Sequence, residues 1–253
     1  MHRSLIARFR QGHRTHRYPK SPPTLPDLFQ GLPVFSKSDC IPDCHLCSDC
    51  CPTDAISFSA GSFSLDMGRC LFCGLCQEAC PTSALTFSHD YRLSTSSRKG
   101  LIISESNANK ALLVESANRI FRRSLKLRQV SAAGCNACEA DTNVLGTLTF
   151  DLGRFGIQFV ASPRHADGIL VTGPVSQNMK LALQKTLDAV PSPKLVIAVG
   201  ACAISGGPFK DHEEVNNGIS DMFPVDLYVP GCPPNPWTIL DGLLRLIGIK
   251  TPA

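Results

Sequence analysis

Two patterns of apolar and polar residues divide the chain near residue 124. Beyond that point, short runs rich in Val, Ile and Leu alternate with longer amphipathic stretches. The apolar runs occupy residues 125–134, 157–162, 168–173, 194–200 and 225–231, and the amphipathic stretches occupy residues 176–190 and 235–249. Strands that alternate with helices predict a doubly wound parallel α/β sheet, of the flavodoxin-like kind, over residues 124–253.

The last amphipathic stretch begins with residues that favour the start of a helix. Asn235 is suited to cap the N-terminus, and Pro236 is suited to the first helical position. Trp237, Leu240 and Leu244 then recur with helical spacing. We expect this apolar face to pack in the core rather than to hold a cofactor.

Before residue 124 the pattern is less regular. Residues 1–36 combine basic side chains with five prolines between Pro19 and Pro33, which predicts an extended segment, here called the strap. Residues 37–90 contain most of the cysteines. Residues 91–123 start as a serine-rich polar linker and continue, from about residue 105, with apolar positions at helical spacing that predict a helix.

The composition argues against several classes of protein. With 43% hydrophobic and 18% charged residues in 253, a buried core is easily formed, which argues against global disorder. No apolar stretch approaches the ~20 residues that a membrane span needs, and no apolar run of a secretory signal follows the basic N-terminus. We therefore expect a cytoplasmic protein whose thiols stay reduced and available to metal.

Nine of the thirteen cysteines lie between residues 40 and 80, in two runs. These runs are Cys40-x3-Cys44-x2-Cys47-x3-Cys51-Pro52 and Cys70-x2-Cys73-x2-Cys76-x3-Cys80-Pro81. The second is the bacterial ferredoxin pattern, in which three close thiolates and a distant fourth hold 4Fe-4S clusters. Two runs with similar sequences after each Cys-Pro predict a small α+β ferredoxin domain with two clusters over residues 37–90. A short helix behind each Cys-Pro is expected to lead into a small strand.

Disulfides and zinc are the alternatives to iron and sulfur for these cysteines. A disulfide framework fits poorly, because the number of cysteines is odd and no export signal is visible. Zinc is the better rival, since Cys-x2-Cys pairs are common in zinc knuckles. Zinc sites usually use two such pairs, however, rather than a triplet followed by Cys-Pro. The pattern therefore favours iron–sulfur clusters.

The first run departs from the ferredoxin pattern. Three residues instead of two separate Cys40 from Cys44, and an extra Cys50 precedes Cys51. Either Cys40 binds the cluster through a wider loop, or the site loses one iron or uses Asp43 or Cys50 as a ligand. We favour the ordinary four-iron cluster with Cys50 as a bystander, and the choice between Cys40 and Cys50 stays open at this point.

The remaining cysteines follow three of the predicted strands. They are Cys135, Cys138, Cys202 and Cys232. Side chains that follow the carboxyl ends of parallel strands converge on one crevice, so we expect a four-thiolate site there. The alternative is that Cys202 and Cys232 are small buried hydrophobic residues. Their shared topological position argues against it and favours a third 4Fe-4S cluster.

Four segments that surround these cysteines, residues 123–141, 159–179, 196–209 and 226–245, resemble a known family. They are similar to the small, cluster-bearing subunit shared by energy-converting NiFe hydrogenases, formate hydrogenlyase and respiratory complex I. Residues 18–81 resemble the separate two-cluster ferredoxin subunit of those complexes. The chain thus resembles a fusion of two subunits that usually dock together.

The resemblance implies ligands for three 4Fe-4S clusters. Cys135, Cys138, Cys202 and Cys232 would hold the cluster nearest the active site of a large partner subunit. With the crossed ligands usual in ferredoxins, one further cluster takes Cys40, Cys44, Cys47 and Cys80, and the other takes Cys70, Cys73, Cys76 and Cys51. The clusters would then form a path toward a catalytic centre outside this chain.

Three further residues have two interpretations each. The separated pair Cys135-Asn-Ala-Cys138 followed by Glu139 is similar to the hydrogenase branch of the family. Glu139 is a candidate proton-relay or interface residue, or else a carboxylate that stabilises a helix N-terminus. Arg164 and His165 either face the partner and tune the cluster, or cap and fix their own loop.

The leading hypothesis is an electron-transfer subunit of a membrane-associated, hydrogenase-like or complex I-like oxidoreductase. Its expected partners are the large catalytic subunit and, indirectly, a membrane arm or membrane surface, with no nucleic acid. No nucleophile–base set is apparent, so we do not expect the chain alone to catalyse turnover. The alternatives are a freestanding ferredoxin-type carrier with an α/β docking domain, and a nucleic-acid or zinc-binding module that uses the basic N-terminus.

Overall fold

The computed structural model describes residues 2–12, 14–59, 62–104, 114, 119–122 and 124–251. Up to residue 104, the elements are α1 (His2–Gln11), β1 (Pro33–Phe35), α2 (Leu46–Asp49), β2 (Ile56–Ser59), β3 (Ser62–Asp66), α3 (Leu75–Glu78), β4 (Leu85–Phe87) and β5 (Ile102–Ser104). Beyond it, they are β6 (Leu125–Ser131), α4 (Ala137–Val144), β7 (Ile157–Phe159), β8 (Gly168–Thr172), α5 (Gln177–Ala189), β9 (Leu195–Val199), α6 (Ala201–Ser205), β10 (Leu227–Val229) and α7 (Pro236–Leu246).

The C-terminal strands form one parallel sheet. Its strand order is β7-β6-β8-β9-β10, which is the flavodoxin-like order with a reversal next to β6. β8 and β9 are buried along their whole length, as expected for central strands covered on both faces. The predicted doubly wound α/β fold is confirmed.

The predicted start of the last helix is also confirmed. The Asn235 side chain accepts a hydrogen bond from the backbone N–H of Trp237 at 2.9 Å, and Pro236 occupies the first turn. Leu240 and Leu244 are fully buried. The apolar face of α7 therefore packs in the core, as its spacing predicts.

The cysteine-rich part contains two small antiparallel sheets, β2-β3-β5 and β1-β4. The expected helix behind each Cys-Pro is wrong, because α2 and α3 precede Cys51-Pro52 and Cys80-Pro81. A residue before proline is pushed out of the helical region and proline has no N–H to donate, so the helix has to end there. A turn then leads from each Cys-Pro into β2 or β4.

The strap differs from the expected extended segment at its start and contacts both halves of the molecule. Residues 2–11 form α1, in a stretch that contains no proline. Tyr18 is buried, and its hydroxyl donates to a carboxylate oxygen of Asp241 at 3.0 Å. Further along, the Gly31 N–H donates to the carbonyl of Ser88 at 2.8 Å. The strap therefore connects the α/β sheet to the cysteine-rich part.

The first half of the serine-rich segment expected to be a linker is largely buried instead. Thr95 and Tyr228 exchange two backbone hydrogen bonds, which adds the segment to the edge of the sheet at β10. The Ser94 hydroxyl donates to the carbonyl of Thr238 at 3.2 Å. These bonds satisfy the polar groups that burial removes from water. The helix expected from residue 105 lies outside the described residues, except for Val114 and a 3-10 turn at Arg119–Arg122.

The two parts of the chain share an apolar core. Met67 and Leu101 from the cysteine-rich part pack in the same cluster as Ile204 from α6, and all three are almost fully buried. A Cβ atom at Gly68 would lie only 2.8 Å from Ile204 Cγ2, so the close approach requires glycine. The Ser205 hydroxyl donates to the Gly68 carbonyl at 2.9 Å. Removal of this apolar area from water stabilises the contact between the parts.

Among the described residues, no helix has the length and apolar character needed to cross a bilayer.

Candidate metal centres

The structure brings the four cysteines of the α/β part together at the carboxyl edge of the sheet. We call them set C: Cys135, Cys138, Cys202 and Cys232. Cys135 and Cys138 follow β6, Cys202 lies in α6 after β9, and Cys232 follows β10. Burial raises the pKa of Cys138. The pKa is raised further by the nearby charges of Cys202, Glu139, Cys232 and Cys135. The charges of the four thiols therefore act on one another at this edge of the sheet.

Two glycines enclose the sulfurs of set C. A Cβ atom at Gly200 would lie 2.6 Å from Cys138 Sγ, and one at Gly207 would lie 2.9 Å from Cys202 Sγ. Both glycines also have positive φ, +92° and +54°. The backbone therefore approaches these sulfurs more closely than a side chain would allow.

Glu139 is held by two hydroxyl groups on neighbouring strands. Ser131 Oγ and Thr172 Oγ1 donate to its Oε1 at 2.5 and 2.6 Å. Burial alone raises the pKa of a carboxyl group, but these hydrogen bonds outweigh it and lower the pKa of Glu139. Glu139 thus ties α4 to β6 and β8, and no pattern in the sequence indicates its two partners.

Arg164 and His165 lie in a 3-10 turn, Pro163–His165, after β7. Arg164 and His165 are both exposed. The same turn is closed by hydrogen bonds from the His165 and Ala166 N–H groups to the carbonyls of Ser162 and Pro163. Their predicted roles toward a partner or a cluster stay predictions.

A second group of thiols belongs to the cysteine-rich part. We call it set A: Cys40, Cys44, Cys47 and Cys80. Burial raises the pKa of Cys47 to about 11, and the charges of Cys80 and Cys40 add to this effect. Cys40 and Cys44 line the same cavity, together with Phe35 and Phe58. The effect of Cys80 on Cys47 is compatible with the predicted crossing, which stays a prediction.

A third group, set B, surrounds a largely apolar cavity. Its members are Cys51, Cys70, Cys73 and Cys76, which all line that cavity. Burial raises the pKa of Cys70 to about 12, and the charges of Cys76, Cys51 and Cys73 act in the same direction. Backbone N–H groups of Ala55 and Phe72 donate to the sulfurs of Cys51 and Cys70, each at 3.3 Å.

Cys50 lies beside set B rather than completing set A. Its pKa is raised by burial and then by the charges of Cys51 and Cys73. Burial raises the pKa of Cys76 to about 12, and the charge of Cys50 is the next largest cause. The Cys50 thiol donates to the carbonyl of Cys47 at 3.5 Å. The thiol charges that raise the pKa of Cys47 are those of Cys80 and Cys40. The choice of Cys40 for set A stays a prediction.

Charges link set B to each of the other two sets. Cys47 of set A contributes to the raised pKa of Cys76 in set B. Cys73 of set B contributes to the raised pKa of Cys232 in set C, after burial and Cys135. Phe72, which follows Cys70 closely in the chain, lines one cavity together with Gln30 and Cys232.

The donor chemistry of the sets suits iron–sulfur clusters. Each set offers four thiols, the ligand type and number that a 4Fe-4S cluster needs. Among the described residues, no three His, Cys, Asp or Glu side chains are grouped closely enough to hold a single metal ion.

Two family models match this chain. The model described as "NADH ubiquinone oxidoreductase, 20 Kd subunit" matches residues 135–246, which include all of set C. The model described as "4Fe-4S binding domain" matches residues 63–86, which include Cys70, Cys73, Cys76 and Cys80.

Individual relatives agree with the family models. The B-type NADH-quinone oxidoreductase subunit of Heliobacterium modesticaldum is 43% identical over 124 residues, which are 48% of this chain and 71% of that protein. Its counterpart in Bacteroides thetaiotaomicron is 44% identical over 112 residues, which are 44% of this chain and 57% of that protein. Formate hydrogenlyase subunit 7 of Escherichia coli K12 is 41% identical over 129 residues, which are 51% of each protein. This chain thus spans between 51% and 71% of the length of these relatives.

A solved structure matches about half of the chain. A chain of the membrane-bound sulfane sulfur reductase, an archaeal respiratory membrane complex, is matched over 52% of this chain and 75% of its own length. That match has 33% identity and a TM-score of 0.45.

Proposed function

Because this chain belongs to the family of the B-type subunits of NADH-quinone oxidoreductase, we propose that it is an electron-transfer subunit with three 4Fe-4S clusters. The chain joins a part similar to those subunits to a ferredoxin-like 4Fe-4S part in one polypeptide. It would relay electrons to or from the large catalytic subunit of a hydrogenase-like or complex I-like oxidoreductase.

We assign one cluster to each set of thiols. Set A (Cys40, Cys44, Cys47, Cys80) and set B (Cys51, Cys70, Cys73, Cys76) would hold the two ferredoxin clusters, and set C would hold the third. Support comes from the thiol neighbours in each set and from the amide and glycine contacts around the sulfurs. When bound, 4Fe-4S clusters accept and release single electrons.

The observation that carries the proposal is that set C follows the carboxyl ends of strands in the parallel sheet, in the same chain as a ferredoxin-like cysteine motif. The charge of Cys47 contributes to the raised pKa of Cys76, and that of Cys73 contributes to the raised pKa of Cys232, which supports the order A, B, C. Three redox groups held at these positions would stand in single file across both parts of the chain. The shared core around Met67 and Ile204 supports a constant distance between sets B and C.

The protein's own groups adjust the sulfurs of set B. The N–H groups of Ala55 and Phe72 point at ligand sulfurs and stabilise negative charge there. The apolar lining, which includes Ile56 and Leu65, keeps water away from the same site. Hydrogen bonds to sulfur and solvent exclusion are two of the means by which proteins set a cluster potential.

We propose that a large subunit docks near set C. Cys135 and Cys232 are exposed there, as a site that completes its surroundings with a partner would be. Relatives named as subunits of NADH-quinone oxidoreductase and formate hydrogenlyase support the partnership. The chain would then associate with a membrane peripherally, through its partner subunits.

Cluster counting tests the proposal. After anaerobic reconstitution, we expect about twelve irons per chain and three reduced-state EPR signals. Cys202→Ser should lower the count to about eight and remove one signal, whereas the matched control Cys50→Ser should keep about twelve. A freestanding two-cluster carrier predicts about eight irons in the unaltered chain, with no further loss in Cys202→Ser. A zinc module predicts zinc and no iron, and either result would overturn the proposal.

A further inference from the structure

The first helix has a distinct apolar face that is exposed. Leu5, Ile6 and Phe9 of α1 are 57%, 42% and 90% exposed. Large apolar side chains normally leave water when a protein folds, because their burial is favourable. Three of them on one short helix therefore indicate a surface that another apolar phase covers.

The arrangement of charges around this face is regular. Successive residues of an α-helix are about 100° apart, which places Leu5, Ile6 and Phe9 within an arc of about 100°. Arg3 and Arg10 then flank one side of the arc, and Arg8 flanks the other. A narrow apolar face with basic side chains along both borders is typical of helices that lie in a membrane interface.

The basic character extends beyond the helix. The sequence carries six cations before its first acidic residue, Asp27, and they are Arg3, Arg8, Arg10, Arg14, Arg17 and Lys20. Each lysine or arginine near an anionic bilayer contributes about 1 kcal/mol of attraction, or about fivefold in affinity. The segment thus complements a negatively charged lipid surface.

The strap attaches to the α/β part soon after α1. The His16 N–H donates to the carbonyl of Thr149 at 2.9 Å, and Arg154 donates to the carbonyl of Tyr18 at 2.9 Å. Leu148, next to this attachment, is 76% exposed. A fourth exposed apolar side chain therefore lies on the surface where the basic segment leaves the folded body.

We propose that α1 binds an anionic lipid bilayer directly, with Leu5, Ile6 and Phe9 among the acyl chains and the arginines at the lipid phosphates. This contact goes beyond association through partner subunits, because it needs no other protein. Nucleic acid would use the arginines but would leave the apolar face in water. The apolar face is therefore the feature that selects lipid over nucleic acid.

Vesicle binding by the full, cluster-loaded chain tests the proposal. We expect sedimentation with vesicles of phosphatidylcholine and phosphatidylglycerol, and little with phosphatidylcholine alone. Replacement of Arg3, Arg8 and Arg10 by Gln should weaken binding on the order of 100-fold, from about fivefold per charge. Leu5→Glu with Phe9→Glu should abolish it. The matched control Leu181→Glu, at a residue 62% exposed on α5, should bind like the unaltered chain.

Insertion of the apolar face has its own readout. In Phe9→Trp, the added tryptophan emission should shift to the blue with anionic vesicles and should be quenched by lipids brominated on the acyl chain. No binding to anionic vesicles would overturn the proposal. Binding that Leu5→Glu with Phe9→Glu leaves unchanged would also overturn it, as would tighter binding to a DNA duplex than to vesicles. An unchanged visible absorption spectrum in every variant shows that the clusters and the fold are intact.

Discussion

Replacing Gly200 by alanine measures how closely the backbone encloses set C. Gly200 directly precedes α6 at φ +92°, a backbone conformation that costs a residue with a side chain about 1–3 kcal/mol. The new methyl group would lie 2.6 Å from Cys138 Sγ, whereas non-bonded heavy atoms prefer about 3.5–4 Å. The sulfur or the backbone must therefore move by about 1 Å.

Neither group can move freely. Cys138 is buried in α4 and packs in the core with Val199 and Trp237. Overpacking of such a site typically costs about 1–3 kcal/mol. We expect Gly200→Ala to lose about 2–6 kcal/mol of unfolding free energy in the metal-free protein and to displace the Cys138 sulfur of set C.

The assay compares Gly200→Ala with Gly153→Ala. At Gly153 no atom lies within 4 Å of an added Cβ, so we expect a change within about 0.5 kcal/mol. Urea unfolding measures the stability, and iron analysis with EPR measures the clusters. Gly200→Ala should fall from about twelve to about eight irons, with the signals of sets A and B unchanged. Equal iron content and equal stability in the two variants would refute the close approach.

Three further predictions concern other parts of the chain. Cys40→Ser should lose about four irons while Cys50→Ser loses none; the reverse pattern in iron analysis would exchange their roles. In the metal-free protein, burial raises the pKa of Cys70 and Cys76 from 9.0 to about 12, so the unfolded chain loses these protons first as the pH rises. The contribution of each thiol to the free energy of unfolding is then full below about pH 9 and falls above it by about 1.4 kcal/mol per pH unit. Urea unfolding over about pH 8–10.5 would detect this fall, and a flat profile would contradict it. Tyr18→Phe removes a hydroxyl donor from a buried carboxylate and should cost about 1–2 kcal/mol by the same method, and an unchanged midpoint would contradict that.

The parallel sheet was predictable because the residues of each strand indicate its structure without reference to distant parts of the chain. β8 and β9 are continuous apolar runs, and each ends near a glycine. Once the fold class is known, topology brings Cys202 and Cys232 to the same edge, since β9 and β10 are neighbours. The prediction that set C converges rests on this spacing and strand direction.

Features that depend on distant partners were not predictable. Ser94 and Thr95 are polar and adjacent to other serines, which is typical of a linker, but Thr238 and Tyr228 supply their hydrogen bonds from far along the chain. The hydroxyl partners of Glu139 come from two different strands. Local propensity has no access to such contacts.

Two wrong expectations have local causes. The helix α1 is obscured by the prolines that begin at Pro19, although its own residues include none. The expected position of α2 and α3 behind the Cys-Pro pairs overlooks the effect of a proline on the residue before it. Both features can be predicted from the sequence when each short segment is considered separately.

The burial of Tyr18 and Thr95 bears on how the polypeptide could be divided. Both residues precede position 105, yet they lie within or against the sheet that starts at Leu125. Covalent continuity across residues 105–123 is therefore not what keeps the halves associated. A protease cut there should yield two fragments that co-purify until denatured, and two separate genes encoding them should give the same assembly.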